Sequence, residues 1–324
     1  MYKKFYGLTR NPFELSPDPY FLYPTARHNE ALACLYYGVR RHKGFVVLAG
    51  EVGTGKTLLI RCLLNLLNHN QVAFAYVFNT RLSVTQFFQY ILGDFGLSPG
   101  GKSKSEMLLE LNNFLIDRHR RGLTTVLVVD EAQQLRRDLL EEIRLLTNLE
   151  TSQQKLLQII LAGQPELDRK LDAPELRQLK QRIAHRAWLE PLTEAETQGY
   201  ILRRLELAGA RGRARDLFPE AAVKVVHTHS RGIPRLINTL CENGLIAAYA
   251  RQARNVDPEI IEEIAADFRL QPEQTAAAAA DNGQTQNRKA VLKMLLQMLE
   301  SLEGGREVKP APIDTVSAGG SHTS

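Results

Sequence analysis

The chain has 324 residues, 44% of them hydrophobic and 24% charged, with a formal net charge of +5. Such values suit a globular protein with two ordinary domains and exclude a low-complexity or fibrous chain. The positive balance is too mild to argue by itself for nucleic acid or an anionic surface.

Residues 1–24 carry Phe5-Tyr6-Gly7-Leu8, Asn11-Pro12-Phe13 and Ser16-Pro17-Asp18-Pro19. Prolines at that density forbid a continuous helix. The apolar side chains are expected to wrap an α/β core and form one wall of a base pocket, or to act as a packing strap. Residues 25–42 read as a helix with Leu32, Leu35, Tyr36 and Val39 on one face.

The stretch that organises the chain comes next. An apolar run, residues 45–49, leads into Gly50-Glu51-Val52-Gly53-Thr54-Gly55-Lys56-Thr57 and then Leu58-Leu59-Ile60. Strand, glycine-rich turn and helix in that order match G-x-x-x-x-G-K-[ST]. Converging backbone N–H groups and the positive end of the helix dipole suit a phosphate there. Lys56 is expected to reach the β/γ-phosphates and the Thr57 hydroxyl to hold Mg²⁺.

A second buried strand spans residues 73–78, and capping boxes at Ser83/Gln86 and Ser103/Glu106 open two helices. Arg118-His119-Arg120-Arg121-Gly122 ends the latter helix with cations and a glycine, a local electrostatic pattern rather than a nucleic-acid patch. Thr124 to Val129 is an apolar strand of the kind buried on both faces, and it delivers Asp130 and Glu131 at its C-terminal end. Ligands of open α/β sheets bind at that end. Two adjacent acids there need a cation, so Asp130 is assigned to the Mg²⁺ shell and Glu131 to the attacking water.

An amphipathic helix is expected over 135–149, then a strand over 156–162 that ends in Gly163-Gln164-Pro165. Gln164 is placed to position water or to bond the turn backbone. The cations of 175–186 are expected on one helix at the rim of the sheet, before a short strand at 187–190. From there the pattern is helical, near 193–208, 219–229, 233–250 and 257–268. Arg235 falls in a first helical turn, where the dipole disfavours a cation, so an anionic partner is expected. His227 and His229 lack companions at metal-ligand spacing and read as structural. Cys34, Cys62 and Cys241 lie in apolar helical patterns and read as buried thiols of a reducing compartment. Residues 271–287 read as a flexible linker, 287–302 as a short amphipathic helix and 303–324 as disordered.

The residues therefore predict four parts: 1–44, an N-terminal strap and helix; 45–190, an α/β phosphate-binding core; 191–270, an all-helical part; and 271–324, a flexible tail. No apolar run approaches the ~20 residues that span a bilayer. Met1-Tyr2-Lys3-Lys4 does not open a signal peptide. A cytoplasmic protein is expected, one that meets the inner membrane only through a partner.

The motifs at 50–57, Asp130-Glu131, Gln164, Arg177 to Arg186 and Gly232-Ile233-Pro234-Arg235 resemble those of AAA+ ATPases. Within that group, Phe5-Tyr6-Gly7-Leu8, Asp130-Glu131-Ala132-Gln133 and Gly163-Gln164-Pro165-Glu166-Leu167 resemble the general secretion pathway protein A (ExeA-type) family, with its relatives in pilus biogenesis and polysaccharide export. The resemblance covers about residues 1–270. It implies a P-loop three-layer α/β/α sandwich on a parallel sheet, a small all-helical lid, ATP and Mg²⁺ as cofactors, and a homo-oligomeric ring or partial ring. It gives Gln164 the sensor-1 role and Arg235 the sensor-2 role. The arginine finger acting in trans falls on Arg182 or Arg186, with Arg182 favoured. The family's transmembrane helix and peptidoglycan-binding domain are not found in this sequence, which leaves contact with the cell wall in doubt. The expected function is ATP-driven assembly or remodelling of an envelope secretion, pilus or export system. The alternative is an ATP-regulated DNA-binding switch, supported by the net charge and by Arg211-Gly212-Arg213-Ala214-Arg215.

Overall fold

Five strands, β1 (Phe45–Gly50), β2 (Val72–Val77), β3 (Thr124–Val129), β4 (Gln158–Gly163) and β5 (His185–Leu189), form one sheet in the order β2-β3-β4-β1-β5. Every neighbouring pair is parallel. The structure is a computed structural model and describes residues 2–67 and 71–270.

Parallel neighbours need long crossovers, and here these carry the helices. Phe45, Val47, Leu127, Val129, Ile159 and Leu161 face one side of the sheet, in a core with Phe87, Ile91, Leu111 and Ile143. Val46, Leu48, Val126, Val128, Ile160 and Ala162 face the other, against Leu35, Leu59, Ile60 and Leu63. Alternation with both faces covered is why these strands read as unbroken apolar runs. Each such Leu or Ile contributes about 1.5–3 kcal/mol on burial. The expected α/β/α sandwich is present, and helices alone follow it: Glu194–Leu207, Ala214–Leu217, Glu220–Ser230, Pro234–Ala250 and Pro258–Asp267.

The local signals for helix starts hold up. The capping boxes at Ser83/Gln86, Ser103/Glu106 and Thr193/Glu196 are all formed. Pro234 and Pro258 occupy first-turn positions. Asp257 stands at its N-cap without a side-chain cap bond, and it accepts instead from Asn255 Nδ2. Arg118 bonds Thr125 Oγ1 and the Thr124 carbonyl at 3.1 and 2.9 Å, so the cluster at that helix end does serve the fold locally. Cys62 and Cys241 are buried, and Cys34 is half-buried.

Two expectations are corrected. The cations of 175–186 do not share one helix: the helix is a single turn, Arg177–Lys180, Arg182 lies in the turn after it, and Arg186 lies on β5. Pairing with β1, Val46 opposite His185 and Val47 opposite Arg186, draws the chain into strand two residues early. The strap wraps the α/β core only in part: Arg61, on the helix after the glycine-rich turn, donates to the Pro17 carbonyl at 2.8 Å, and Pro19 lines a cleft with Thr57 and Asp130, but the first half goes elsewhere. Tyr2, Tyr6, Leu8 and Phe13 join the core of the C-terminal helices, with Tyr200, Leu205, Phe218 and Ile237. Both sheet faces are already covered, so these aromatics bury elsewhere. Arg204, only 4% exposed, holds them there. Its Nε donates to the Pro12 carbonyl at 2.5 Å and its guanidinium stacks 4.7 Å over Phe21.

The linker, the 287–302 helix and the tail expected over residues 271–324 lie outside the described residues. No helix among the described residues is long and apolar enough to cross a membrane.

Candidate nucleotide-binding site

The strand order sets the site. β4 lies between β1 and β3, so the loop after β4 stands between the glycine-rich turn and the acids of β3. Gly50 ends β1, and Lys56 opens the helix Lys56–Leu66 behind an N-cap Gly55 at φ 99°. Lys56 Nζ donates to the carbonyls of Gly50 and Glu51 at 2.8 and 2.9 Å. Thr54 Oγ1 also donates to the Glu51 carbonyl, at 2.8 Å. Lys56 is 6% exposed, and burial pulls its pKa below the usual lysine value against the opposing pull of Glu131, Asp130 and Glu51. A phosphate would replace two neutral carbonyls with full negative charge, a stronger partner for a desolvated cation. Val52 is exposed at the tip of the turn, and Leu58 is half-buried in the first helical turn.

The acids come from β3. Asp130 N–H donates to the Val77 carbonyl on β2, which fixes the exit of the strand. Asp130 Oδ2 accepts from Thr57 Oγ1 at 3.0 Å and from the Tyr76 hydroxyl at 2.7 Å. Burial and the adjacent Asp130 raise the Tyr76 phenol well above its usual range, so it acts as donor. Glu131 takes φ 51°, ψ 35°, left-handed backbone that is uncommon for a non-glycine residue. Its Oε2 accepts from Gln133 Nε2 at 2.6 Å and Gln164 Nε2 at 3.1 Å. Gln133 Oε1 accepts from Gln164 N–H at 3.1 Å, so the two glutamines lock one another.

Of the predicted site residues, Lys56, Thr57, Asp130, Glu131 and Gln164 are thus brought together. Arg235 reaches the turn through its backbone: its N–H donates to the Gly53 carbonyl at 3.2 Å. Its exposed guanidinium makes no ion pair among the described residues. A Cβ on Gly53 (φ +83°) would sit 2.8 Å from Arg235 Cβ, so only glycine allows this approach. Gly232 serves the same junction, where a Cβ would collide with the Leu192 carbonyl. Arg182 and Arg186 are not part of this cluster. Arg186 pairs with Asp168 at 2.6 Å, and Arg182 forms no ion pair among the described residues.

Sequence reasoning missed three members: Tyr76, Gln133 and His28. His28, buried on the helix Ala26–Arg40, shares a 2.7 Å hydrogen bond between Nδ1 and Thr25 Oγ1 and another bond with the Thr54 backbone. Gln133 could have been found, two residues after Glu131. Tyr76 and His28 carry no local signal.

The donors suit the expected ligands. The turn offers backbone N–H groups to phosphate, and Thr57 with Asp130 offers hard oxygen donors to Mg²⁺. No cluster of three or more His, Cys, Asp or Glu that could cage a metal exists among the described residues. Two protein oxygens nevertheless fit Mg²⁺, which is usually held by one or two carboxylates together with water and substrate phosphates.

A parallel sheet in this order, with a phosphate turn on β1 and paired acids on β3, defines a P-loop nucleotide-binding protein of the AAA+ class. A family model described as an AAA domain matches residues 39–171. General secretion pathway protein A of Aeromonas hydrophila is 44% identical over 257 residues, 79% of this chain and 46% of that protein, so this chain spans about half of its relative's length. Among solved structures, the Aeropyrum pernix ORC2 protein, in ADPNP and ADP complexes, matches at TM-score 0.61 and 18% identity over 91% of this chain and 79% of its own. The Aeropyrum pernix ORC1 protein, in complex with DNA, matches at TM-score 0.61 and 20% identity over 80% of this chain and 69% of its own. Identities so low show a shared fold alone. The chain is an AAA+ protein, and over the matched residues it is similar to general secretion pathway protein A.

Proposed function

We propose that this chain hydrolyses ATP with Mg²⁺, at sites completed between subunits of a homo-oligomer, and that the cycle drives assembly or remodelling of an envelope secretion, pilus or polysaccharide-export system. The observation that carries this reading is the convergence of Lys56, Thr57, Asp130, Glu131 and Gln164 at the C-terminal ends of β1, β3 and β4. Lys56 leaves its two carbonyls to hold the β/γ-phosphates, and the backbone of 50–58 cradles them. Thr57 and Asp130 would hold Mg²⁺, which would supply neutralising charge to the phosphates. Glu131 takes the proton of the attacking water, with Gln164 fixing its carboxylate. Arg235 from the helical part, and Arg182 from a neighbouring copy, add charge where the transition state needs it.

The envelope role is supported by the likeness to the Aeromonas protein, and a cytoplasmic position beside an inner-membrane partner is part of the same proposal. The DNA-switch reading loses one of its supports. Arg213 of the 211–215 loop donates to the Tyr6 carbonyl at 3.0 Å and so holds the N-terminal strap.

Two variants test the enzyme. Lys56→Ala loses nucleotide binding, whereas Glu131→Gln binds ATP normally and turns over at least ~100-fold more slowly, the scale of general-base loss. Equal phosphate release by Glu131→Gln and the parent chain would refute the role of Glu131.

A further inference from the structure

The most specific contact at the site that no motif accounts for comes from β2. Asp130 Oδ2 accepts the Tyr76 hydroxyl at 2.7 Å as well as Thr57 Oγ1 at 3.0 Å, while Oδ1 accepts Glu131 N–H at 2.9 Å. Three donors from three elements fix the rotation of a carboxylate that is only 7% exposed. Tyr76 is itself held in place. It pairs with Val128, two residues before Asp130, and its N–H donates to Asp94 Oδ2 at 2.8 Å on the open edge of the sheet. Its ring stands with Phe74 and Phe78 along a cleft of about 640 Å³ that Thr57 and Asp130 also line. A hydrogen bond beside such an aromatic wall is stronger than one in open water.

We propose that Tyr76 is a positioning residue for the metal: by holding Asp130 Oδ2 against Thr57, it sets how tightly Mg²⁺ is taken up with the nucleotide. The inference rests on the ATPase reading above. Thr57 and Asp130 are the two protein oxygens of the proposed metal shell, and Tyr76 lies against both, with its hydroxyl donated to the second. Outer partners of metal-binding side chains change metal affinity by about 10–100-fold when removed. A phenol that merely satisfied itself on the nearest acceptor would leave that affinity alone.

The test uses the full chain with Tyr76→Phe, which keeps the ring and removes only the hydroxyl. Binding of a fluorescent ATP analogue is titrated with Mg²⁺ and measured separately in EDTA. The expected result is a Mg²⁺ midpoint raised about 10–100-fold, with binding in EDTA equal to the parent's. An unchanged midpoint overturns the proposal. So does an equal loss with and without metal, which would assign the ring to the cleft wall alone. A parent chain whose binding ignores Mg²⁺ removes the metal reading itself and this inference with it, a result read without the variant.

Discussion

Gln164 meets Glu131 across the top of the sheet, its Nε2 donating to Glu131 Oε2 over 3.1 Å while its own N–H is held by Gln133. Both amides donate to the same carboxylate oxygen, so the arrangement fixes where that carboxylate points. Glu131 needs the help, because its left-handed backbone gives the side chain an unusual exit direction. Gln164→Ala therefore lowers kcat by about 10–100-fold, less than the loss of the acid itself. KM for ATP moves little, because the Gln164 side chain is engaged with the Glu131 carboxylate. Steady-state phosphate release separates the two; a KM effect with kcat intact would place Gln164 on the nucleotide instead.

The junction between Gly53 and the turn at 232–235 makes a second prediction. An alanine at Gly53 adds a Cβ 2.8 Å from Arg235 Cβ and 3.0 Å from Ile233 Cγ2, at a φ of +83°. The left-handed backbone alone costs about 1–2 kcal/mol. Gly53→Ala should then lower Tm by several degrees, about 2–4 °C per kcal/mol at this chain size, and weaken nucleotide binding. Arg235→Ala keeps the backbone bond to Gly53 and leaves Tm unchanged, while turnover falls at least ~10-fold through loss of one charged contact. Calorimetry with and without nucleotide distinguishes the two.

The two candidate arginines differ in what they already hold. Arg186 is paired with Asp168, whereas Arg182 projects from the turn before β5 with no ion pair among the described residues. Arg186→Ala should act mainly on stability. Arg182→Ala should cut kcat by about 10³–10⁵-fold, as loss of an arginine finger does, with nucleotide affinity retained. Mixing Arg182→Ala with Lys56→Ala should restore turnover, since one supplies the pocket and the other the arginine. A mixture as inactive as its components counts against action in trans.

Much of this was legible in the sequence, for identifiable reasons. β1, β3 and β4 stood out because both of their faces are covered, which confines polar side chains to the strand starts at Thr124, Thr125 and Gln158. The capping boxes stood out because Ser83, Ser103 and Thr193 bond atoms three residues away. The stretch 175–186 was misread because its spacing of cations suits a helix, while pairing of His185 and Arg186 with β1 is a tertiary fact. Tyr76 meets Asp130 only because β2 and β3 are neighbours in the sheet. The first half of the strap went to the helices because of Arg204, a buried cation in a helix whose surface pattern gives no hint that it binds the Pro12 carbonyl.

Stability should depend on pH through His28. Burial holds its imidazole below the usual histidine value, outweighing the raising effects of the Thr54 backbone and Glu196. The neutral ring shares its hydrogen bond with Thr25, the N-cap of the same helix. In the unfolded chain a histidine takes its proton near pH 6.5. Between that value and the lower folded one, the unfolded state binds more protons, so stability falls as pH falls. His42 and His185, both lowered chiefly by burial, act with the same sign. Stability is therefore full above about pH 6.5 and is lost as pH drops through the folded values, with buried His28 the main contributor and half-buried His42 and His185 adding less because solvent screens them. Tm should decline from pH 7 to pH 5, and His28→Gln should be less stable at pH 7 but decline less steeply. A Tm that stays level between pH 7 and pH 5 would rule out neutral buried histidines as the cause.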